Sequence, residues 1–190
     1  MFHVPFGQRG FTLVEMIIAF GIFAAVMAIA AGSLVSLMDA NRKAQAQKTV
    51  ANNLHFAFEN MSRSMRMGRA YHCGSAGILS EPRDCSDTPE SFLTFVSADK
   101  DTVVYQLTGT VIERAVRRPG DGGPLVFTPL TAPEIQVERL QFFVDGAPST
   151  DKKQPRALIL AGGVIKGKGG IESRFEIETL VSQRLLDVRK

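Results

Sequence analysis

Glu15 is the one charged residue in an otherwise apolar stretch running from Phe11 to Met38. A carboxylate held in hydrocarbon costs roughly 3 kcal/mol on insertion scales, and such residues usually serve a function. The chemistry open to it is charge pairing with a cation in the same apolar surroundings. A second reading needs no function: Glu15 lies only four residues past Phe11, where its side chain can reach interfacial water.

Cys73 and Cys85 stand close together in a segment rich in Gly, Ser, Pro and Asp. In an oxidising compartment that pattern reads as a disulfide closing a surface loop, and a loop this short would gain roughly 3 kcal/mol in the loop-closure model. The alternative is two unpaired thiols. With His72 the pair supplies at most three ligands and lacks paired C-x-x-C spacing, so no metal is expected.

Other patterns approach known chemistry and stop short. The run Gly162-Gly163-Val164-Ile165-Lys166-Gly167-Lys168-Gly169 nearly fits a phosphate loop. Gly169, however, stands where Ser or Thr must hold magnesium, and an alternating strand pattern follows where a helix is needed. A hairpin loop is the simpler reading. Asp99-Lys100-Asp101 and the pair Asp145 and Asp151 offer too few oxygens for calcium, which takes six to eight. His3, His55 and His72 are scattered, and no Ser/His/Asp or Cys/His set has supporting context. No enzyme activity and no cofactor are therefore expected. Arg63, Arg66 and Arg69 recur every three residues with Tyr71 nearby, and Arg114, Arg117 and Arg118 form a second cluster. Basic stripes with aromatics can bind single-stranded nucleic acid, but a solvated face is the commoner meaning, and a net charge of +3 is too mild to argue for nucleic acid.

The elements that position these residues follow from periodicity. Residues 11–38 as a helix would span about 42 Å, against a hydrocarbon core of about 30 Å, so the chain is expected to cross a membrane once at most. Residues 39–67 continue with helix formers and no proline. Val50, Leu54, Phe58, Met61 and Met65 fall on one face, with Lys48, Asn52 and His55 opposite. The helix is expected to run from Thr12 to about Met67, with Gly68 as terminator and Gly21 and the Gly32-Ser33 pair as its weak points. Residues 69–91 read as a loop-rich stretch. Strand patterns follow at 92–96, 102–107, 110–114, 135–143, 156–162 and 172–180. Their period-two alternation implies one buried and one wet face. The expected class is α+β: a long amino-terminal helix packed on an antiparallel sheet, with two sheets as the variant. At 190 residues and 45% apolar content, the chain has room for one globular domain and an appendage.

The string Arg9-Gly10-Phe11-Thr12-Leu13-Val14-Glu15 resembles the class III signal of type IV pilins and type II secretion pseudopilins, over roughly residues 7–38. The resemblance implies cleavage between Gly10 and Phe11 by a membrane prepilin peptidase, then N-methylation of Phe11. It makes Glu15 the fifth residue after the cut, where the family places a carboxylate that attracts the Phe11 amine of a neighbouring subunit. It implies four segments: a leader at 1–10, a transmembrane half-helix at 11–38, an amphipathic half at 39–68, and an extracytoplasmic β-rich head with a disulfide loop at 69–190. The implied location is a bacterial inner membrane with the head in the periplasm. The implied partners are the peptidase, other pilin or pseudopilin subunits, the lipid bilayer and a filament assembly platform. The order VERLQFFVDG, QPRALILAGG, FEIETLVSQRLLDVRK is also similar to minor subunits, including J-type pseudopilins. Two rivals remain. Ala28-Ile29-Ala30 resembles an ordinary signal-peptidase site, which would release a periplasmic binding domain. A competence pilin for DNA uptake is the other.

Overall fold

The computed structural model describes residues 10–79, 81–85, 87–167 and 172–184. The leader before Gly10, with His3, lies outside these, as do Lys168, Gly169 and the tail after Arg184. The architecture is α+β: among the described residues, one helix and eight antiparallel strands. Helix α1 spans Leu13–Met67 without interruption. No proline occurs in it, and the chain continues helically through both Gly21 and Gly32. The chain divides into two compact units, at residues 1–44 and 45–190.

In the first unit, every described side chain from Phe11 to Ala44 is exposed. Among the described residues, α1 is the one helix long and apolar enough to cross a membrane. An exposed surface of Phe, Ile, Val, Leu and Met over this length is not stable in water and needs an apolar partner, lipid or protein.

The second unit holds the core. Leu54, Phe58, Met61 and Met65 are buried and Val50 packs against them, while Lys48, Asn52 and His55 are exposed. Each buried Leu, Phe or Met contributes about 1.5–3 kcal/mol relative to exposure. The apolar stripe therefore holds the carboxy-terminal part of α1 on the sheets. The helix stops at Gly68, whose N–H donates to Met65 O at 2.8 Å. Glycine is needed there for space: a Cβ would sit 2.9 Å from Cε2 of Phe95 and closer still to Cδ2.

Two sheets form. The first has β1 (Arg69–Cys73), β2 (Phe92–Val96), β3 (Thr102–Thr108), β4 (Val111–Arg117) and β5 (Phe127–Pro129), paired in chain order. The second is a meander of β6 (Ile135–Asp145), β7 (Arg156–Lys166) and β8 (Glu172–Ser182). Each of these last three strands overlaps one of the segments at 137–146, 154–163 and 175–190. Tyr71, Leu93, Phe95, Val103, Tyr105 and Ile112 from the first sheet meet Ile135, Val137, Leu140, Phe142 and Ile159 from the second in one core.

Two expectations change. Residues 69–73 are a strand, not loop; β1 is short and gains its stability from distant partners, His72 opposite Thr94 and Cys73 opposite Leu93. The glycine run is not a hairpin loop from its start, because Gly162 to Lys166 belong to β7. Gly163 serves close packing of backbones. A Cβ there would lie 2.9 Å from Cα of Val137 and inside contact with Gln136 O, where the β6 register shifts between Val137 and Arg139. Gly163→Ala should cost about 3 kcal/mol, at the upper end of overpacking penalties, read as a lower denaturant midpoint; an unchanged midpoint would contradict the close approach.

Candidate functional site

The amino end of α1 is built by local capping. Thr12 Oγ1 accepts the Glu15 N–H at 3.2 Å, and Thr12 O accepts the Met16 N–H at 3.2 Å. Thr12 is therefore the N-cap and Glu15 the third helical residue. The spacing T-x-x-E is the capping-box signature, a signal present in the sequence and passed over there. Glu15 also puts a negative charge in the first turn, where the helix dipole favours it by about 0.3–1 kcal/mol. Among the described residues its carboxylate forms no ion pair.

Gly10 precedes this cap and is exposed, and a Cβ there would meet nothing within 4 Å. The fold does not require glycine at this position. Phe11 is 80% exposed.

Residues 6–31 match the family model of the prokaryotic N-terminal methylation motif. No curated protein and no solved structure matches the chain. The motif supports a type IV pilin-like protein, processed by a prepilin peptidase and assembling with other pilins. Together with the apolar helix it fits membrane anchoring.

The other candidate residues among the described ones have partners of their own. Cys73 and Cys85 are joined in a disulfide across twelve residues. Its loop is also tied by main-chain bonds: Cys73 N–H donates to Arg83 O at 3.0 Å and Arg83 N–H to Tyr71 O at 2.9 Å. Reducing the disulfide should lower stability by about 3 kcal/mol in the loop-closure model. Denaturant midpoints of oxidised and reduced protein check this; equal midpoints would mean that the main-chain bonds alone close the loop.

The acidic pairs have other partners than calcium. Lys153 Nζ donates to Asp145 Oδ1 at 2.9 Å, and Arg156 Nη2 to Asp145 Oδ2 at 2.9 Å. These bonds hold the Asp145 carboxyl below its ordinary range. Asp151 Oδ1 accepts the Lys153 main-chain N–H at 2.8 Å. Asp99, Lys100 and Asp101 make the turn between β2 and β3, closed by Ser97 N–H to Asp101 O at 2.8 Å.

The arginine stripe loses its aromatic. Tyr71 is fully buried, its hydroxyl donates to Met65 O at 2.8 Å, and burial pushes its phenol well above the usual range. It cannot stack on a base. Arg63 lies 3.7 Å from Glu59 on the same helix. In the second cluster, Arg114 stands opposite Tyr105 across β3 and β4, and helps offset the rise that burial imposes on the Tyr105 phenol.

Proposed function

We propose that the chain is a minor subunit of a type IV pilin-like filament, of the kind built by pili or by type II secretion pseudopili. The match of residues 6–31 to the methylation motif carries this reading. Cleavage after Gly10 frees the Phe11 amine, which is then methylated. Residues 11–38 anchor the chain in the inner membrane as a single pass, and residues 69–190 form a head on the far side, with 39–68 joining them.

Assembly follows from electrostatics. The freed amine would sit one residue before the Thr12 cap, and the Glu15 carboxylate lies one helical turn further on. A carboxylate and an ammonium, each alone in an apolar bundle, are both costly to hold. Paired between neighbouring subunits, each offsets the other's cost, so the pair rewards docking and sets register. The absence of cationic partners for Glu15 among the described residues is consistent with a partner supplied by a second subunit.

Sheared filaments from cells making this chain test the reading. The chain should be recovered in the filament fraction, at low abundance, as a minor subunit would be. Its confinement to membranes, in cells that assemble the filament, would contradict it.

A further inference from the structure

The loop closed by Cys73 and Cys85 has a second fastener. His72 lies on β1 and is 2% exposed. Its ring reaches into the loop and meets two main-chain oxygens. Nδ1 is 2.7 Å from Glu81 O and Nε2 is 2.9 Å from Ala76 O. Gly77, at φ +93°, carries the loop around the ring edge; a Cβ there would lie 3.7 Å from His72 Cε1.

Both partners are carbonyl oxygens, which accept and cannot donate. A neutral imidazole has one N–H, so it satisfies one oxygen and turns a lone pair toward the other. An imidazolium has two and satisfies both, with the greater strength of charge-assisted bonds. We infer that His72 is an acid-closed latch on the disulfide loop: protonated, it clamps Ala76 and Glu81 together, and on losing a proton it releases one of them.

The surrounding charges identify which contact breaks. Arg83 Nη1 donates to Ala76 O at 2.7 Å. It satisfies Ala76 O in either state of the ring. The Glu90 carboxylate lies against Gly74 on the β2 side, with Cδ 3.3 Å from the position a Cβ would take. The side chains of Glu81 and Arg83 are exposed and that of Asp84 is half-buried. With Ala76 O already served by Arg83, the neutral ring keeps its proton on Nδ1 for Glu81 O, and the contact from Nε2 to Ala76 O is lost. The disulfide and the bonds of Cys73 and Arg83 hold the base of the loop regardless. What loosens is the tip, which carries Ile78, 61% exposed. The latch thus sets how firmly an apolar side chain is presented at the surface.

Nitrogen correlations of the His72 ring, in the full chain in detergent micelles, test this between about pH 5 and pH 8, the range in which histidines switch. Hydrogen exchange is followed at the Glu81 amide, which donates to Ile78 O at 2.9 Å, with the Cys73 amide as internal reference. At the acid end both ring nitrogens should carry protons. Toward the alkaline end, Glu81 protection corrected for intrinsic exchange should fall roughly tenfold relative to Cys73, as loss of one bond to a charged group implies. His72→Gln should abolish that pH dependence. A single neutral tautomer throughout, equal protection at both ends, or a variant that keeps the dependence would each overturn the latch. If His72→Gln does not fold, the ring nitrogens of the wild-type chain decide the matter alone.

Discussion

Glu15→Gln should leave the chain in the membrane and keep it out of the filament. The substitution tests the proposed assembly role of Glu15 while leaving the local start of α1 in place. At the start of α1 Glu15 gives its main-chain N–H to Thr12 Oγ1, and glutamine keeps that bond. As an assembly group, Glu15 must be an anion, and glutamine is not. Removing one member of a buried ion pair costs about 3–5 kcal/mol, because the other charge is left uncompensated. Filament incorporation should therefore drop by two to three orders of magnitude, since about 1.4 kcal/mol is tenfold. Glu15→Ala should do the same. Quantifying the chain in sheared filaments and in membranes checks both. Normal incorporation of the glutamine variant would rule out the assembly role of Glu15.

Gly10→Val should stop processing without disturbing the fold. A side chain at residue 10 meets nothing within 4 Å, so stability of the head should be unchanged. The proposed peptidase must close around the bond between Gly10 and Phe11, and a branched side chain obstructs that. The accumulated protein would keep its leader, and the Phe11 nitrogen would stay in an amide, uncharged and unmethylated. Assembly should then fail as it does for Glu15→Gln, for the opposite reason: the cation is missing instead of the anion. Mass spectrometry distinguishes them, because only Gly10→Val retains the ten leader residues. Efficient cleavage of the valine variant would show that glycine is not what the cut requires.

The helix was legible because two independent patterns agree along it. The apolar run ending at Met38 and the stripe from Val50 to Met65 contain no proline, and the stripe is the face found buried. The long strands were legible from alternation: 92–96 matches β2, and the others extend a few residues beyond their expected ends. β1 was not legible. Its five residues include Arg69 and His72, and its pairing with β2 lies about twenty residues away in sequence, so local preference gives way to tertiary context. The three-residue β5 was missed for the same reason.

At the sites the division is similar. Glycines mark places where something must come close, but the sequence does not say what. At Gly163 it is the backbone of β6 and at Gly68 the ring of Phe95. At Gly10 no described residue comes close, and under the proposed processing the demand would come from the peptidase. The role of His72 was illegible, since its two acceptors are main-chain oxygens four and nine residues away.

The central claim rests on how the chain begins once it is in the membrane. The direct measurement is the amino-terminal residue and intact mass of the mature, membrane-embedded protein. The account predicts a chain starting at N-methylated Phe11. A chain starting at Ala31, as ordinary signal peptidase would leave it, would contradict the filament reading and the role of Glu15 with it.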